Sequence, residues 1–273
     1  MDSAIFSDET KCGIYRLLIL RRYIGLAVPD RHLHPGSVSE ELEKINIEIE
    51  EIIKKKRRKR NRIMNIILAS ASPRRRELLA QIGLQYEVKI SDVEEKITSA
   101  VPHEIVEQLA TQKAEAVFET VCDDDNILVI GADTIVACDG KVLGKPSSPE
   151  EAVKMLTMLQ GRKHQVYTGV CVIRKRSEVK HDRETFSEVG MSADAGTVTK
   201  KIFHECTQVR FYDMSPGEIQ QYVDSQDPLD KAGAYGIQGF CARYIAGIDG
   251  DYNNVVGLPV GRLYQEIKEW LED

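Results

Sequence analysis

The sequence predicts an α/β fold, because apolar strand patterns alternate along the chain with amphipathic helix patterns. Ile66–Ala69 is a short apolar run that turns sharply into a helix pattern ending at Gly83. Ile127–Ile130 is too apolar for an exposed strand, which predicts a central position in a sheet. Further helix patterns cover Pro102–Val117 and Pro149–Leu159.

The composition bounds the class of protein. With 273 residues and 42% hydrophobic content, the chain can form a substantial core as one large domain or two smaller ones. No apolar run approaches the roughly 20 residues of a membrane span, so we expect no membrane partner. Six cysteines are scattered without a Cys-x-x-Cys pair, which favours reduced thiols, and we expect a cytoplasmic protein.

Charge is distributed unevenly along the chain. Residues 1–63 hold 14 Lys/Arg and 10 Asp/Glu, a net charge of +4, whereas the remainder holds 23 and 33, a net charge of −10. The acidic body argues against nucleic acid as a partner. A strongly anionic small ligand would therefore need a local cluster of cations and a metal.

Residues 1–63 are predicted to be an N-terminal extension. Ser37 and Glu40 have capping-box spacing, and apolar residues then recur every three or four positions up to Ile52. This pattern predicts a helix, and the basic run Lys54–Arg60 lies at its C-terminal end, where cations suit the helix dipole. The run is either a solvated helix end or a nuclear-localisation or nucleic-acid patch, and we favour the first interpretation.

The turn after the first strand carries an unusual charge pattern. Pro73 suits the first helical position, and Ser72 is its predicted side-chain cap. Arg74–Arg76 then fill the first helical turn, where free N–H groups and the helix dipole favour anions. The arginines either extend into solvent or bind an anion, and their position directly after a strand favours a phosphate. We therefore expect Arg75 to serve ligand binding rather than stability.

The same stretch, LASASPRRRELL, resembles the opening motif of the Maf family of nucleoside triphosphate pyrophosphatases. The resemblance extends from about Asn65 to the C-terminus and does not cover the first sixty-odd residues. Met64 stands directly before the motif, so residues 1–63 are an extension or precede an alternative start. For residues 64–273 the resemblance implies a Maf/ITPase-like α/β fold: a long twisted mixed sheet flanked by helices, with two lobes around one cleft.

Two further candidates follow from the resemblance. Leu84–Ile90 alternates as a strand, and the acidic stretch after it aligns Glu95 with the family's functional glutamate. The residues alone would favour an exposed acidic loop. Lys113 borders an apolar helix face, where a lysine usually extends into solvent. The match QLATQKA nevertheless assigns Lys113 to the family's catalytic cleft.

Asp133 is the strongest candidate in the second motif. The stretch ILVIGADTIVAC puts this carboxylate at the end of a buried strand, where open α/β sheets carry their sites. The Ala-Asp-Thr signature of the family supports that interpretation and adds Thr134. The following Gly144-Lys145-Pro146 lies in a short hairpin without P-loop spacing, and Lys145 matches the family's active-site lysine.

The next segments predict the outer part of the sheet. His164–Ile173 is a predicted strand, and we assign His164 a structural role because no acid is placed to orient it. Residues 174–205 are polar and longer than the family's hairpin, which predicts an inserted loop before the sheet resumes at Phe203–Phe211. A helix with a capping box then begins at Ser215.

The third motif bears on which nucleobase the substrate carries. The loop DKAGAYGIQG at Asp230–Gly239 resembles the form found in the family's dTTP/UTP pyrophosphatase branch. Gln238 offers one donor and one acceptor edge, which suits N3–H and O4 of uracil or thymine. Tyr244–Gly261 resembles the family segment Gly-Asp-Tyr-x-Asn-Val-Val-Gly-Leu-Pro, and Leu263–Leu271 predicts a closing amphipathic helix.

The resemblance implies a reaction in which water attacks the α-phosphorus of dTTP, UTP or modified pyrimidine relatives, leaving the monophosphate and pyrophosphate. It also implies a divalent metal cation: Mg²⁺, Mn²⁺ or Co²⁺. The predicted catalytic residues are Asp133, Glu95, Lys113 and Lys145, of which Glu95 and Asp133 are also the metal ligands. The predicted substrate-binding residues are Ser70, Arg74, Arg75, Thr134 and Gln238.

Other interpretations stay open at this point. The chain could instead be a pyrophosphatase of the type that acts on 7-methylguanosine triphosphate, or a nucleotide-binding regulatory protein without turnover. The sequence does not separate the carboxylate that binds metal from the one that accepts the proton. Family members are often dimers, so the resemblance also implies a homodimer.

Overall fold

The computed structural model describes residues 64–122, 126–176 and 197–272. The predictions made for residues 1–63, including the helix with its basic end, lie outside the described residues. The same holds for residues 177–196 in the middle of the predicted insertion.

Strands and helices alternate through the described residues, as the α/β prediction requires. The strands are β1 (Asn65–Leu68), β2 (Glu87–Val88), β3 (Ile127–Cys138), β4 (Lys141–Leu143), β5 (Lys163–Arg176), β6 (Thr197–Phe211) and β7 (Ile245–Asp249). The α-helices are α1 (Pro73–Gln81), α2 (Pro102–Glu119), α3 (Pro149–Leu159), α4 (Pro216–Asp224), α5 (Tyr252–Val256) and α6 (Val260–Glu272). Short 3₁₀ helices occupy Asp227–Asp230, Ala232–Ala234 and Phe240–Tyr244.

The described strands form one mixed sheet of seven strands in the order β2-β1-β3-β5-β6-β7, with β4 paired to β3. β1 runs parallel to β2 and β3, whereas β3, β5, β6 and β7 pair in antiparallel fashion. The mixed α/β fold implied by the sequence is therefore confirmed.

Helices cover both faces of the sheet, because successive side chains of a strand point to opposite faces. On one face, α2 packs against Ile127, Val129 and Ile135 of β3. On the other face, α1 and α6 pack over Leu128 and Ile130, and α3 and α4 pack over the far end of β3. The second face thus carries two lobes, and a cleft lies between them.

β3 changes its neighbour at the cleft. On one edge β1 pairs as far as Ile130, and β4 begins to pair only at Val136. Residues 131–135 of β3 are therefore paired only with β5 among the described strands. Asp133 and Thr134 lie in this interval. Such a switch in strand pairing is where open α/β sheets form their sites.

The position of Asp133 differs from the sequence prediction in one respect. The residue does not end its strand, because β3 continues for five more residues to Cys138. The unbroken ladder to β5 holds this second half of β3 in the sheet. The feature that ends near Asp133 is the pairing with β1.

The first helix begins at Pro73 and stops before Gly83 as predicted, but the predicted side-chain cap at its start is absent. Gly83 has a φ of 77°, and the N–H groups of Gly83 and Leu84 donate to the carbonyls of Ala80 and Leu79, forming a Schellman motif. At the other end, Ser72 makes no side-chain cap. Its N–H instead donates to the hydroxyl of Ser70 at 3.2 Å. The capping box predicted at Ser215 is confirmed, since its hydroxyl and Glu218 bond reciprocally.

Two predicted boundaries were wrong. The strand expected over Leu84–Ile90 is reduced to the two residues of β2, since only the end of β1 is available for pairing. The polar stretch 174–205 is not a loop throughout, because Arg174–Arg176 pair with residues 197–199 at the end of the β5–β6 ladder, and residues 200–205 continue that ladder along β5. Cross-strand pairing overrides the polar composition there.

Candidate active site

A cleft of about 670 Å³ opens between the two lobes, within the size range of small-molecule sites. Its walls come from the turn after β1, the middle of β3, the loop after β4 and the 3₁₀ segments after α4. The structure brings all nine predicted site residues to this cleft: Ser70, Arg74, Arg75, Glu95, Lys113, Asp133, Thr134, Lys145 and Gln238.

Arg75 is the centre of a hydrogen-bond network on the cleft wall. Its Nε donates to the carbonyl oxygen of Gly257 at 2.8 Å. Its two terminal nitrogens donate to Ser70 Oγ and Thr134 Oγ1, each at 3.1 Å. Burial lowers the pKa of Arg75, and the negative charge of Asp133 opposes that shift. A guanidinium carries five N–H groups, so two have no partner among the described residues and are available to a ligand.

Thr134 joins this network to the neighbouring strand. Its hydroxyl lies 2.9 Å from the hydroxyl of Thr168, which in turn donates to the backbone carbonyl of Asn254 at 3.0 Å. Asn254 is fully buried and donates to Val166 O and Thr207 Oγ1. The cleft wall is therefore fixed to the sheet through a continuous series of polar contacts.

Two carboxylates meet at one lysine. Lys113 Nζ lies 2.5 Å from Asp133 Oδ1 and 2.8 Å from Glu95 Oε1. The side chain of Asp133 is 15% exposed, whereas that of Glu95 is 47% exposed. α2 holds the lysine close to the sheet, and the loop after β2 brings the more accessible carboxylate. The cluster combines one cation with two acids at the point where β3 changes its neighbour.

The opposite wall carries an ion-pair network that the sequence analysis did not predict. Lys231 Nζ bonds to Asp230 Oδ1 at 2.7 Å and to Asp227 Oδ1 at 2.9 Å, and Asp230 Oδ2 accepts from Arg74 at 3.1 Å. Burial opposes ionisation of Asp230, but its bonds to Lys231 and Arg74 outweigh that effect and lower its pKa. The pair Arg74–Asp230 thus links α1 to the 3₁₀ segment across the cleft.

Gly236 makes room for the lysine of that network. A methyl group at this glycine would meet Cε and Cδ of Lys231 at 2.8 and 2.9 Å. The adjacent charges Asp230 and Lys231 in the third motif were the signal for the network, but their pairing with Asp227 and Arg74 depends on contacts between distant segments. Gln238 and Lys145 are exposed at the rim of the cleft.

His164 lies buried beside the cleft rather than in it. Its Nε2 is 2.7 Å from the hydroxyl of Tyr235, and its ring packs edge-on against Phe211 and Tyr235. Burial lowers the pKa of His164 from 6.5 to about 4. Its packing among aromatic rings agrees with the structural role assigned from the sequence.

The residues present fit a magnesium-type cation in one arrangement. Among the described residues, no three His, Cys, Asp or Glu side chains gather to hold a metal by themselves. Magnesium, however, commonly takes one or two carboxylates together with water and substrate phosphates. Glu95 and Asp133 supply two carboxylates on a cleft lined by cations.

In the described part of the chain, no helix has the length and apolarity needed to cross a membrane.

Comparison with known proteins decides the family. Residues 65–270 match the family model described as "Maf-like protein". The chain is a member of the Maf family. This Maf protein is 47% identical over 214 residues to the dTTP/UTP pyrophosphatase of Agathobacter rectalis, a match covering 75% of this chain and 96% of that relative.

Two further relatives bear the same description. The dTTP/UTP pyrophosphatase of Carboxydothermus hydrogenoformans is 46% identical over 207 residues, covering 76% of this Maf protein and 99% of the relative. That of Bacillus cereus is 45% identical over 206 residues, covering 75% of this Maf protein and 95% of the relative. The match thus includes nearly the whole length of each relative.

Proposed function

We propose that this Maf protein hydrolyses dTTP and UTP to the monophosphate and pyrophosphate. The observation that carries the proposal is the cleft itself, which combines a carboxylate–lysine cluster with arginines on the adjoining wall. Relatives that are 45–47% identical are named dTTP/UTP pyrophosphatase, which supports both the reaction and the bases.

The cations serve the triphosphate. Arg74 and Arg75 would bind its phosphate oxygens from the first turn of α1, together with Ser70. Lys113 and Lys145 would neutralise the charge that develops on the leaving pyrophosphate. Arg75 keeps N–H groups free for this purpose while its other donors hold the wall.

Asp133 serves the attacking water. We assign it the role of proton acceptor, because it is the less exposed of the two carboxylates and is held by Lys113. The water oxygen forms a bond to the α-phosphorus, the bond from that phosphorus to the bridging oxygen breaks, and the water proton passes to Asp133. Glu95 and Asp133 would hold a divalent cation, which when bound supplies charge neutralisation for the phosphates.

Gln238 and Thr134 serve base selection. Gln238 lies exposed at the rim, so its amide is available for N3–H and O4 of uracil or thymine. The Thr134 hydroxyl is already engaged with Arg75 and Thr168. We therefore propose that Thr134 acts indirectly: it fixes Arg75, which binds the phosphates, and thereby sets where the base lies relative to Gln238. A pocket that admits both UTP and dTTP needs little discrimination against one methyl group.

The experiment is a kinetic comparison of UTP, dTTP, CTP, ATP, GTP and 7-methylguanosine triphosphate with the purified full chain and Mg²⁺. We expect kcat/KM to be highest for UTP and dTTP, with monophosphate and pyrophosphate as the products. Hydrolysis in water labelled with heavy oxygen should place the label in the monophosphate. A higher kcat/KM for 7-methylguanosine triphosphate would overturn the base assignment, and release of orthophosphate would overturn the reaction.

The matched variants are Asp133→Asn and Asp139→Asn. Asp133→Asn should lower kcat about 100-fold or more while UTP still binds, because the amide cannot accept the water proton. Asp139, which directly follows the same strand and pairs with Arg162 outside the cleft, should tolerate the change. Binding of UTP to the unaltered chain without turnover would instead support a regulatory protein.

The free cysteines of the described residues suit the cytoplasmic location that we also propose.

A further inference from the structure

The loop that carries Glu95 has no helix or strand of its own. Between β2 and α2, residues 89–101 form neither element, so their backbone polar groups need other partners. The ion pair of Glu95 with Lys113 cannot fix the loop by itself, because a half-exposed ion pair is weak. Something else must hold the backbone at Glu95 in position.

Gln112 supplies that restraint. Its Oε1 accepts from the backbone N–H of Lys96 at 2.8 Å, and its Nε2 donates to the backbone carbonyl of Lys96 at 2.7 Å. One amide side chain therefore occupies both backbone groups of a single residue, as a neighbouring strand would. Lys96 directly follows Glu95, so this pair of hydrogen bonds limits where the Glu95 carboxylate can reach.

The register of the loop along α2 supports this assignment. Gln108, one helical turn before Gln112, accepts from the N–H of Thr98 at 3.2 Å. One turn of helix advances about 5.4 Å, close to the roughly 6.6 Å spanned by two extended residues. The loop therefore lies along α2, with Glu95 opposite Lys113 and Lys96 opposite Gln112.

We propose that Gln112 is a positioning residue for the reaction. It binds both the N–H and the carbonyl oxygen of Lys96 and thereby holds Glu95 beside Lys113 and Asp133. The inference rests on the proposed function, because it assumes that Glu95 acts in hydrolysis. Gln112 itself does not belong to the set that lines the cleft.

The test uses Gln112→Leu in the full chain, with Gln108→Leu as the matched control. Leucine keeps the approximate size of glutamine and removes both bonds to Lys96. We expect kcat for UTP to fall about tenfold with little change in KM, and the Mg²⁺ concentration for half-maximal activity to rise. Gln108→Leu loses one longer bond, three residues from Glu95, and should change kcat less than about threefold.

A second readout does not depend on activity. Hydrogen exchange of the Lys96 amide, measured without metal or nucleotide, should be about tenfold faster in Gln112→Leu and unchanged in the core strands. Unaltered Lys96 exchange and unaltered kcat in that variant would overturn the inference. An equal loss of kcat in both leucine variants would also overturn it, because the effect would then belong to the whole loop.

The variant Glu95→Gln separates this inference from the proposed function. If Glu95→Gln is inactive and Gln112→Leu is normal, the inference fails and the role of Glu95 stands. If Glu95→Gln is fully active, the role of Glu95 fails and the inference with it. Loss of activity in both variants, together with fast Lys96 exchange in Gln112→Leu, is the result we expect.

Discussion

Arg74 and Arg75 are neighbours in the sequence, but their guanidinium groups have different surroundings. Among the described residues, Arg74 has one side-chain partner, the exposed carboxylate of Asp230. Arg75 has three, reaching the turn after β1, the middle of β3 and the carbonyl of Gly257. The sequence analysis assigned Arg75 to ligand binding alone, because its position conflicts with the helix dipole. Its contacts indicate a contribution to stability as well.

This difference gives a matched pair of variants. Arg75→Ala should lower the free energy of unfolding by about 1–3 kcal/mol, since three hydrogen bonds lose their donor. Arg74→Ala should change it by less than about 1 kcal/mol, because exposed ion pairs contribute little. Both should raise KM for UTP. Chemical denaturation checks stability, and equal stability of the two variants would contradict the structural role of Arg75.

His164 gives a prediction about pH. Burial lowers its pKa to about 4, whereas the unfolded chain titrates near 6.5. Between these values the unfolded state binds more protons, so stability is lost as pH falls from about 6.5 to 4, by on the order of 3 kcal/mol. His164→Gln should flatten this pH dependence of the denaturation midpoint. An unaltered slope in His164→Gln would assign the effect to other groups.

Individual site residues could be predicted where a local motif carried them. Asp133, Lys113 and Arg75 each lie in a short matching stretch, and each lines the cleft. The partners of these residues could not be predicted in the same way. The carbonyl of Gly257 is 182 positions from Arg75, and Asp230 is 156 positions from Arg74. Such pairs arise from the path of the chain through the sheet, which no local pattern records.

At the scale of elements, the close approach of α2 to β3 controls the site. α2 carries Lys113, and β3 carries Asp133. Between them lies Gly131, where a methyl group would overlap with the carbonyl oxygen of Ala110 and would lie 2.8 Å from Ala114 Cβ. Both obstacles belong to the same helix, so no side-chain rotation could relieve the overlap.

Gly131→Ala should therefore move α2 away from the sheet. We expect a loss of about 1–3 kcal/mol in unfolding free energy and a fall in kcat, because Lys113 moves with the helix. Gly217→Ala is the control, since nothing lies within 4 Å of a methyl group there. Thermal melting and UTP kinetics measure both effects. A stable and active Gly131→Ala would show that α2 can shift without cost.

Helices with a strong repeat of apolar residues could be predicted from the sequence. Strands, whose bounds depend on pairing with other strands, were predicted less well. The helices from Pro102 and Pro149 begin where their sequences indicate, since proline and apolar spacing act locally. β2 is shorter than predicted, and the hairpin of β5 and β6 is longer. The length of a strand depends on the strand that pairs with it. The polar residues of this hairpin did not indicate that such a partner lies alongside.

At the scale of the whole molecule, we predict that residues 64–273 suffice for activity. The cleft and all nine candidate residues belong to this part of the chain. A chain beginning at Met64 should hydrolyse UTP with kcat and KM within about threefold of the full chain. Insolubility or lost turnover would show that the apolar helix face predicted over residues 42–52 stabilises the enzyme.

The long strands have a mechanical consequence. β3 and β5 pair without interruption over eleven consecutive positions, and β5 and β6 over fourteen, so the same strands support both lobes. Bending one lobe towards the other would shear these ladders. Substrate capture should therefore occur without hinge motion of the lobes, through movements of surface segments and side chains. For the same reason, the two lobes should melt together, as one cooperative unit.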